Sequence, residues 1–167
     1  MHFSIRSASV DDAQAIAAIY AHHVRTGTGT FEIEPPSPDD IATRMAKVAS
    51  LGWPWLVAVD ADGDVQAYAY AGPFRERQAY RHTVEDSIYV APSGQRLGIG
   101  RALLRALIEA CVQSGAKEML AVIGDSANHA SIALHAQAGF AQIGVLTNVG
   151  HKFGRDLDVV LMQKSLR

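Results

Sequence analysis

The spacing of apolar residues along this chain switches repeatedly between the twofold period of a strand and the 3.6-residue period of a helix. Alternating or short apolar runs predict strands over His2–Arg6, Leu56–Val59, Val65–Ala71, Thr83–Val90, Met119–Ile123, Ala141–Leu146 and Leu157–Met162. After the first strand, Ser9 with Asp12 three residues on forms a capping-box start, and Val10, Ala13, Ile16, Ala17 and Tyr20 then share one helical face. Thr26-Gly-Thr-Gly-Thr30 ends that helix, and Phe31–Pro38, with its three prolines, reads as an ordered loop. Ser37, Pro38 and Asp40 open a second helix running to about Ser50. Leu103, Leu104, Leu107, Ile108 and Cys111 make one buried stripe of a strongly amphipathic helix terminated by Gly115, and Asn128–Ala138 forms a shorter helix closed by Gly139. The order β-α-α-β-β-β-α-β-α-β-β specifies an α/β fold, a mixed sheet with helices on its faces.

Composition narrows this picture. At 167 residues the chain is expected to be a single domain over 1–167, since domains run to about 100–200 residues. A content of 49% hydrophobic and 19% charged residues is globular rather than disordered. The net charge of −2 supplies no cationic surface for nucleic acid or anionic lipid. A lone cysteine, Cys111, excludes an internal disulfide framework and a cysteine-rich zinc site, and its place in the apolar stripe reads as core. No run reaches the ~18 unbroken apolar residues of a membrane span, and the N-terminal stretch lacks a signal-peptide core, so a cytoplasmic location is expected.

Two features invite a metal and neither carries it. Asp60-Ala-Asp-Gly-Asp64 has its glycine too early for a calcium loop and Ala71 where that loop needs glutamate, so it reads as a tight hairpin turn. His22 and His23 are adjacent, so on a helix their side chains leave about 100° apart. No metal is expected.

The strand Thr83–Val90 is the most informative. Alternation puts Val84, Asp86, Ile88 and Val90 on one mostly apolar face, suited to a core. Thr83, Glu85, Ser87 and Tyr89 line the other, a polar row suited to a cleft. Gln95-Arg-Leu-Gly-Ile-Gly100 then opens the amphipathic helix. A strand, a glycine loop and a helix start together form a recipe for binding phosphate, because unpaired N–H groups at the helix N-terminus face the anion. A dinucleotide-type loop would need a third glycine where Leu103 stands, and a P-loop would need a lysine, absent between Val48 and Ala116.

The pattern Q/R-x-x-G-x-G/A, met by Gln95, Gly98 and Gly100, resembles the loop with which GNAT-superfamily N-acetyltransferases grip the pyrophosphate of acetyl-CoA. Asn128-His-Ala-Ser-Ile-Ala-Leu-His135-Ala-Gln-Ala-Gly-Phe140 is similar to the family's later helix, and histidine at 135, where many relatives carry tyrosine, resembles the phosphinothricin acetyltransferase branch. Ala69–Arg75, Ala79–Val90 and Gly150–Asp158 point to the same branch, and the resemblance spans roughly 4–166. It implies the GNAT acyl-CoA N-acyltransferase fold, a mixed and mostly antiparallel sheet flanked by helices. It also implies acetyl-CoA as co-substrate and, as relatives are often homodimers, a homodimer.

The resemblance further implies site residues. Glu85 occupies the position of the family's catalytic carboxylate, fitting for a base that must deprotonate an ammonium of pKa near ~10. His135 is expected to protonate the leaving thiolate or to organise water near Glu85, with Tyr89 the alternative acid and Asp86, on the wrong face, the weaker carboxylate. Backbone N–H groups from Ile88 through Tyr89 to Val90 are expected to polarise the thioester carbonyl. Gln95, Arg96, Leu97, Gly98, Ile99, Gly100 and Arg101 are expected at the phosphates, and Asn128 and Ser131 at the pantetheine arm. Phe31, Phe74, Arg75, Arg77 and Val84, with Glu85, are expected at the acceptor. An arginine fork matches a carboxylate, which favours an amino acid or analogue of the phosphinothricin, methionine sulfoximine or methionine sulfone type. The rival readings are a protein or peptide N-acetyltransferase and a non-catalytic acyl-CoA sensor, the latter having no need of Glu85. No G-x-S-x-G elbow supports a serine hydrolase.

Overall fold

The computed structural model describes residues 2–167. Its elements are β1 (Phe3–Ser7), α1 (Ala13–Thr26), α2 (Pro38–Ser50), β2 (Trp55–Asp60), β3 (Val65–Pro73), β4 (Thr83–Val90), α3 (Ile99–Gln113), β5 (Glu118–Gly124), α4 (His129–Gln137), β6 (Ala141–Lys152) and β7 (Arg155–Ser165). The strands form one seven-stranded sheet in the order β1-β2-β3-β4-β5-β7-β6. All neighbours are antiparallel except β4 and β5.

Local chemistry sets most of the ends. Ser37 and Asp40 make the reciprocal capping box of α2, with Pro38 at the first helical position. Asp60 caps its own turn, its Oδ1 accepting from the N–H groups of Asp62 and Asp64 at 3.0 and 2.9 Å. Two expectations need correction. Ser9 and Asp12 box in a 3₁₀ turn over Val10–Asp12 rather than α1 itself, and this tighter winding takes Val10 off the apolar face and leaves it 69% exposed. The final hairpin is longer than the pattern suggested, running from Ala141 to Lys152 and from Arg155 to Ser165. The Asn- and Gly-containing stretch that reads as loop is an irregularity within β6, where Asn148 takes φ 57° and its N–H donates to Asp158 Oδ1 at 3.0 Å.

The sheet is covered on both faces. Against one lie Leu103, Leu107 and Cys111 of α3, fully buried on Ala58, Ala67, Ala69, Val84, Met119 and Ala121. Each such leucine contributes about 1.5–3 kcal/mol. Burial, with the charge of Asp86 nearby, pushes the Cys111 thiol up to about 12. On the other face α1 and α2 cover an aromatic layer in which Trp55 stacks on Tyr70 at 4.0 Å.

The sheet opens at one place. The parallel ladder pairs Thr83–Asp86 with Glu118–Ala121, and no pairs join the remaining halves of β4 and β5. Bonds from Phe74 N–H to the Thr83 carbonyl and from Ala91 N–H to the Gln66 carbonyl put the odd-numbered residues of β4 in hydrogen-bonded register with β3. Ile88 and Val90 therefore turn their backbone groups into the fork.

Candidate active site

A cleft of about 780 Å³ fills this fork. It brings together Ile88, Tyr89, Val90, Gln95, Arg96, Gly98, Ile99, Gly100, Arg101, Asn128, Ser131 and His135, twelve of the residues expected to serve cofactor or catalysis. Leu97 is not among its lining and is 41% exposed.

The Gln95–Arg101 wall is built from backbone. Gln66, itself buried, holds the entry: its Oε1 accepts from Ser93 Oγ at 2.7 Å and its carbonyl from Ala91 N–H at 2.8 Å. Arg96 and Gly98 then take left-handed conformations, φ 61° and 77°, and Gly98 caps α3. Among the described residues, the N–H groups from Gln95 to Arg101 donate to no backbone acceptor. Alternating left-handed turns that leave donors free make an anion-binding concavity, reinforced by the helix dipole. A smaller hollow of about 480 Å³ between α3 and α4 adjoins the cleft, sharing Gly98, Arg101, Leu134 and Gln137 and adding Arg105 and Lys164.

Along β4 the two faces separate as alternation requires. Asp86 is buried beneath the fork, where its Oδ2 meets His135 Nε2 at 2.9 Å. His135 Nδ1 faces the Ser131 carbonyl at 2.7 Å, so both ring nitrogens are engaged. Burial opposes charge on this imidazole, but the bond to Asp86, that carboxylate's charge and the Ser131 carbonyl outweigh it, and the pKa is raised. Asn128 caps α4 by accepting from Ser131 N–H at 3.3 Å. On the other face Glu85 is half-buried, and burial first, then the neighbouring Asp86, lift its carboxyl above the usual range against the pull of Arg75. Arg75 lies over the Phe74 ring at 5.1 Å, while Arg77 is exposed at the start of a 3₁₀ turn. Phe74, Arg75, Arg77 and Glu85 sit beyond the closed end of the cleft rather than in its lining. Val84, expected at the acceptor, is fully buried in the α3-side core, so its side chain offers the acceptor no surface.

The opposite wall went unread in the sequence. His23 of α1 hydrogen-bonds the Val90 carbonyl through Nε2 at 2.8 Å, closing one of the free groups in the fork. Burial lowers its pKa. Gly27, Thr28 and Gly29 line the cleft from the segment after α1, with Phe31 packed behind them against Gly124 and Gly150. Tyr20 binds both Thr30, at 2.7 Å, and Glu32, whose carboxylate also takes a two-bond fork from Arg44. Only the glycines of the Thr26–Thr30 run hinted at close approach. Tyr89 packs its ring at 5.0 Å from Tyr20 and 5.4 Å from Tyr68, and burial holds its phenol well above the usual value.

A sheet split at a parallel pair, with free strand amides on one side and a glycine loop at a helix start, defines an acyl-CoA-dependent transferase. The chain belongs to the Acetyltransferase (GNAT) family, whose model matches residues 16–140, and it is an acetyl-CoA-dependent N-acetyltransferase. It is 51% identical to a phosphinothricin N-acetyltransferase of Alcaligenes faecalis, over 98% of this chain and 82% of the relative. It is 43% identical to an L-methionine sulfoximine/L-methionine sulfone acetyltransferase of Pseudomonas paraeruginosa, over 99% and 96%. Among solved structures it matches a GNAT superfamily phosphinothricin acetyltransferase from Sinorhizobium meliloti in complex with acetyl-CoA, with a TM-score of 0.95, 42% identity and coverage of 99% of this chain and 89% of that one.

Proposed function

We propose that the chain, as one unit over 1–167, transfers acetyl from acetyl-CoA directly to the α-amine of a small amino acid of the phosphinothricin, methionine sulfoximine or methionine sulfone type. The observation that carries this is the placement of half-buried Glu85 on β4 just beyond the closed end of the fork, with its register partner Gly72 leading into Phe74 and Arg75, a cation suited to an acceptor carboxylate. The curated relatives acting on phosphinothricin and methionine sulfoximine support the substrate class.

Acetyl-CoA, when bound, supplies an acetyl thioester open to attack by an amine. Its phosphates suit the free N–H groups of Gln95–Arg101, with Arg96 and Arg101 beside them, and its nucleotide end suits the adjoining hollow with Arg105 and Lys164. Asn128 and Ser131 face the pantetheine arm. The N–H groups of Ile88 and Val90 orient and polarise the thioester carbonyl from the strand edge, with Tyr89 between them. Glu85 removes a proton from the acceptor ammonium; its raised pKa brings carboxylate and ammonium closer in basicity. Phe74 borders the acceptor, Phe31 shapes its wall from behind Gly27–Gly29, and Arg75 with Arg77 holds its carboxylate. The departing CoA thiolate takes its proton from His135 when the Nε2–Asp86 bond opens and otherwise from water, His135 then serving to fix β4 at the fork.

Thiol release from acetyl-CoA across a panel of amino acids and peptide N-termini tests the reading. Turnover confined to peptides overturns the substrate class. For Glu85→Gln we expect kcat to fall by about 10²–10⁴-fold with unchanged acetyl-CoA binding; an unchanged kcat removes Glu85 as the base. We also propose a cytoplasmic homodimer joined through the open edge of β6, where Val145, Leu146 and Val149 stand exposed. Sedimentation of Val149→Glu, expected to be monomeric, checks it.

A further inference from the structure

We propose that Lys152 is a positioning residue for acceptor selectivity: from the end of β6, its ammonium holds the Gly27–Phe31 segment as the wall of the fork on the face that carries Glu85. This rests on the amino-acid acetyltransferase reading above.

Lys152 sits at the tip of the final hairpin between exposed neighbours His151 and Phe153, one residue from solvent. A lysine there would ordinarily extend its ammonium into water. Instead Lys152 is only 3% exposed. Its Nζ donates to the carbonyls of Gly27 and Thr30, both at 2.9 Å. Among the described residues it forms no ion pair within 4.0 Å. Burying an ammonium without a carboxylate partner in contact is unfavourable, and the groups that offset it here are two carbonyls of one loop at hydrogen-bond distance, the Phe153 ring 5.1 Å below Nζ and the more distant charge of Glu32.

Those carbonyls bracket the part of the loop that closes the fork. A Cβ on Gly124 would lie 2.5 Å from the Thr28 carbonyl and 2.9 Å from the Phe31 ring, so the loop presses on the end of β5. Gly124 shares its sheet face with Leu120, the register partner of Glu85. The Lys152 bonds therefore act on the side from which the acceptor must approach, opposite the helix α3 that bears the phosphate loop. A second strap runs the same way: Thr28 Oγ1 donates to Asp125 at 2.7 Å, and Asp125 pairs with Arg155 at 2.9 Å. Both straps tie the loop to the hairpin, so a change at Lys152 alters the acceptor wall before it reaches the phosphate loop.

The test uses the full-length Lys152→Met and Lys152→Gln variants, followed by thermal melting, acetyl-CoA titration, and kcat and KM over phosphinothricin, methionine sulfoximine, methionine sulfone and methionine. Lys152→Met is expected to melt cooperatively, keep its acetyl-CoA Kd within about threefold, and raise the KM for the preferred acceptor by about tenfold or more with kcat little changed. Its selectivity across the panel contracts. Lys152→Gln, which retains a donor for one carbonyl, recovers part of both. An unchanged acceptor KM, or a parallel loss of acetyl-CoA affinity, overturns the assignment. Failure of both variants to fold also overturns it, since the lysine would then serve the fold rather than the site. Absence of turnover by the unmodified protein on this panel marks failure of the parent reading instead, and the inference falls with it.

Discussion

Among the described residues, the Gln95–Gly100 loop leaves its backbone N–H groups without partners, whereas the Gly27–Phe31 loop on the other wall of the fork has its polar groups taken up from several directions. The first is held at its base by Gln66 and by the helix it starts, and its donors stay free for a ligand. The second is bound by Lys152, Asp125 and Tyr20 and wedged by Phe31. A wall proposed to grip a constant anion can be made of local backbone alone. A wall that must present a shaped surface to a variable acceptor needs long-range side-chain contacts to hold it.

The sharpest way to break this comparison is Gly150→Ala. The added Cβ would stand 2.3 Å from the Phe31 ring, so the ring must leave its seat. Overpacking of this kind costs about 1–3 kcal/mol, read as a lower urea midpoint. Acetyl-CoA affinity should hold while acceptor KM rises, and the double variant with Phe31→Leu should restore stability in part. If acetyl-CoA affinity falls equally, the walls are not independent.

Gly98→Ala addresses the other wall. Nothing lies within 4 Å of a Cβ there, so the only penalty is the left-handed backbone at φ +77°, about 1–2 kcal/mol. Weaker acetyl-CoA binding with unaltered acceptor selectivity is expected from calorimetry and panel kinetics. A change in selectivity would show that the phosphate loop also shapes the acceptor site.

The smallest effect concerns the buried pair beneath both walls. The folded pKa of His135 is raised, against the opposing effect of burial, by the bond to Asp86. Its stabilisation is therefore complete below the unfolded histidine value of about 6.5 and fades as pH rises through the folded value. Because His23, lowered by burial, contributes a slope of the opposite sign, the readout is the difference in urea midpoint between wild type and Asp86→Asn, which should shrink from pH 5.5 to 8.5. A difference that grows over this range would show that the pair is not the imidazolium–carboxylate form.

Much of the fold was legible. The period of the apolar residues located the strands and helices, because burial on one face imposes that period, and the Ser37–Asp40 box and Gly115 marked ends where local hydrogen bonding decides them. Val10 and β6 were misread for one reason: a 3₁₀ turn and an edge strand with both faces exposed obey no simple period. Within the candidate site, the meeting of Gln95, Gly98 and Gly100 in one cleft wall was readable because the glycine loop is contiguous, and alternation alone separated Glu85 from Asp86.

What the sequence by itself determined was therefore the local half of this protein: its elements, its glycine loop at the start of α3 and the face on which each β4 side chain stands. The tertiary structure decided where β4 and β5 part, that His135 meets Asp86, and that Lys152 reaches the carbonyls of Gly27 and Thr30. Those partners lie 49 to 125 residues apart. No periodicity links them, because they meet only when the sheet brings the ends of β4, β5 and β6 to one edge of the fork.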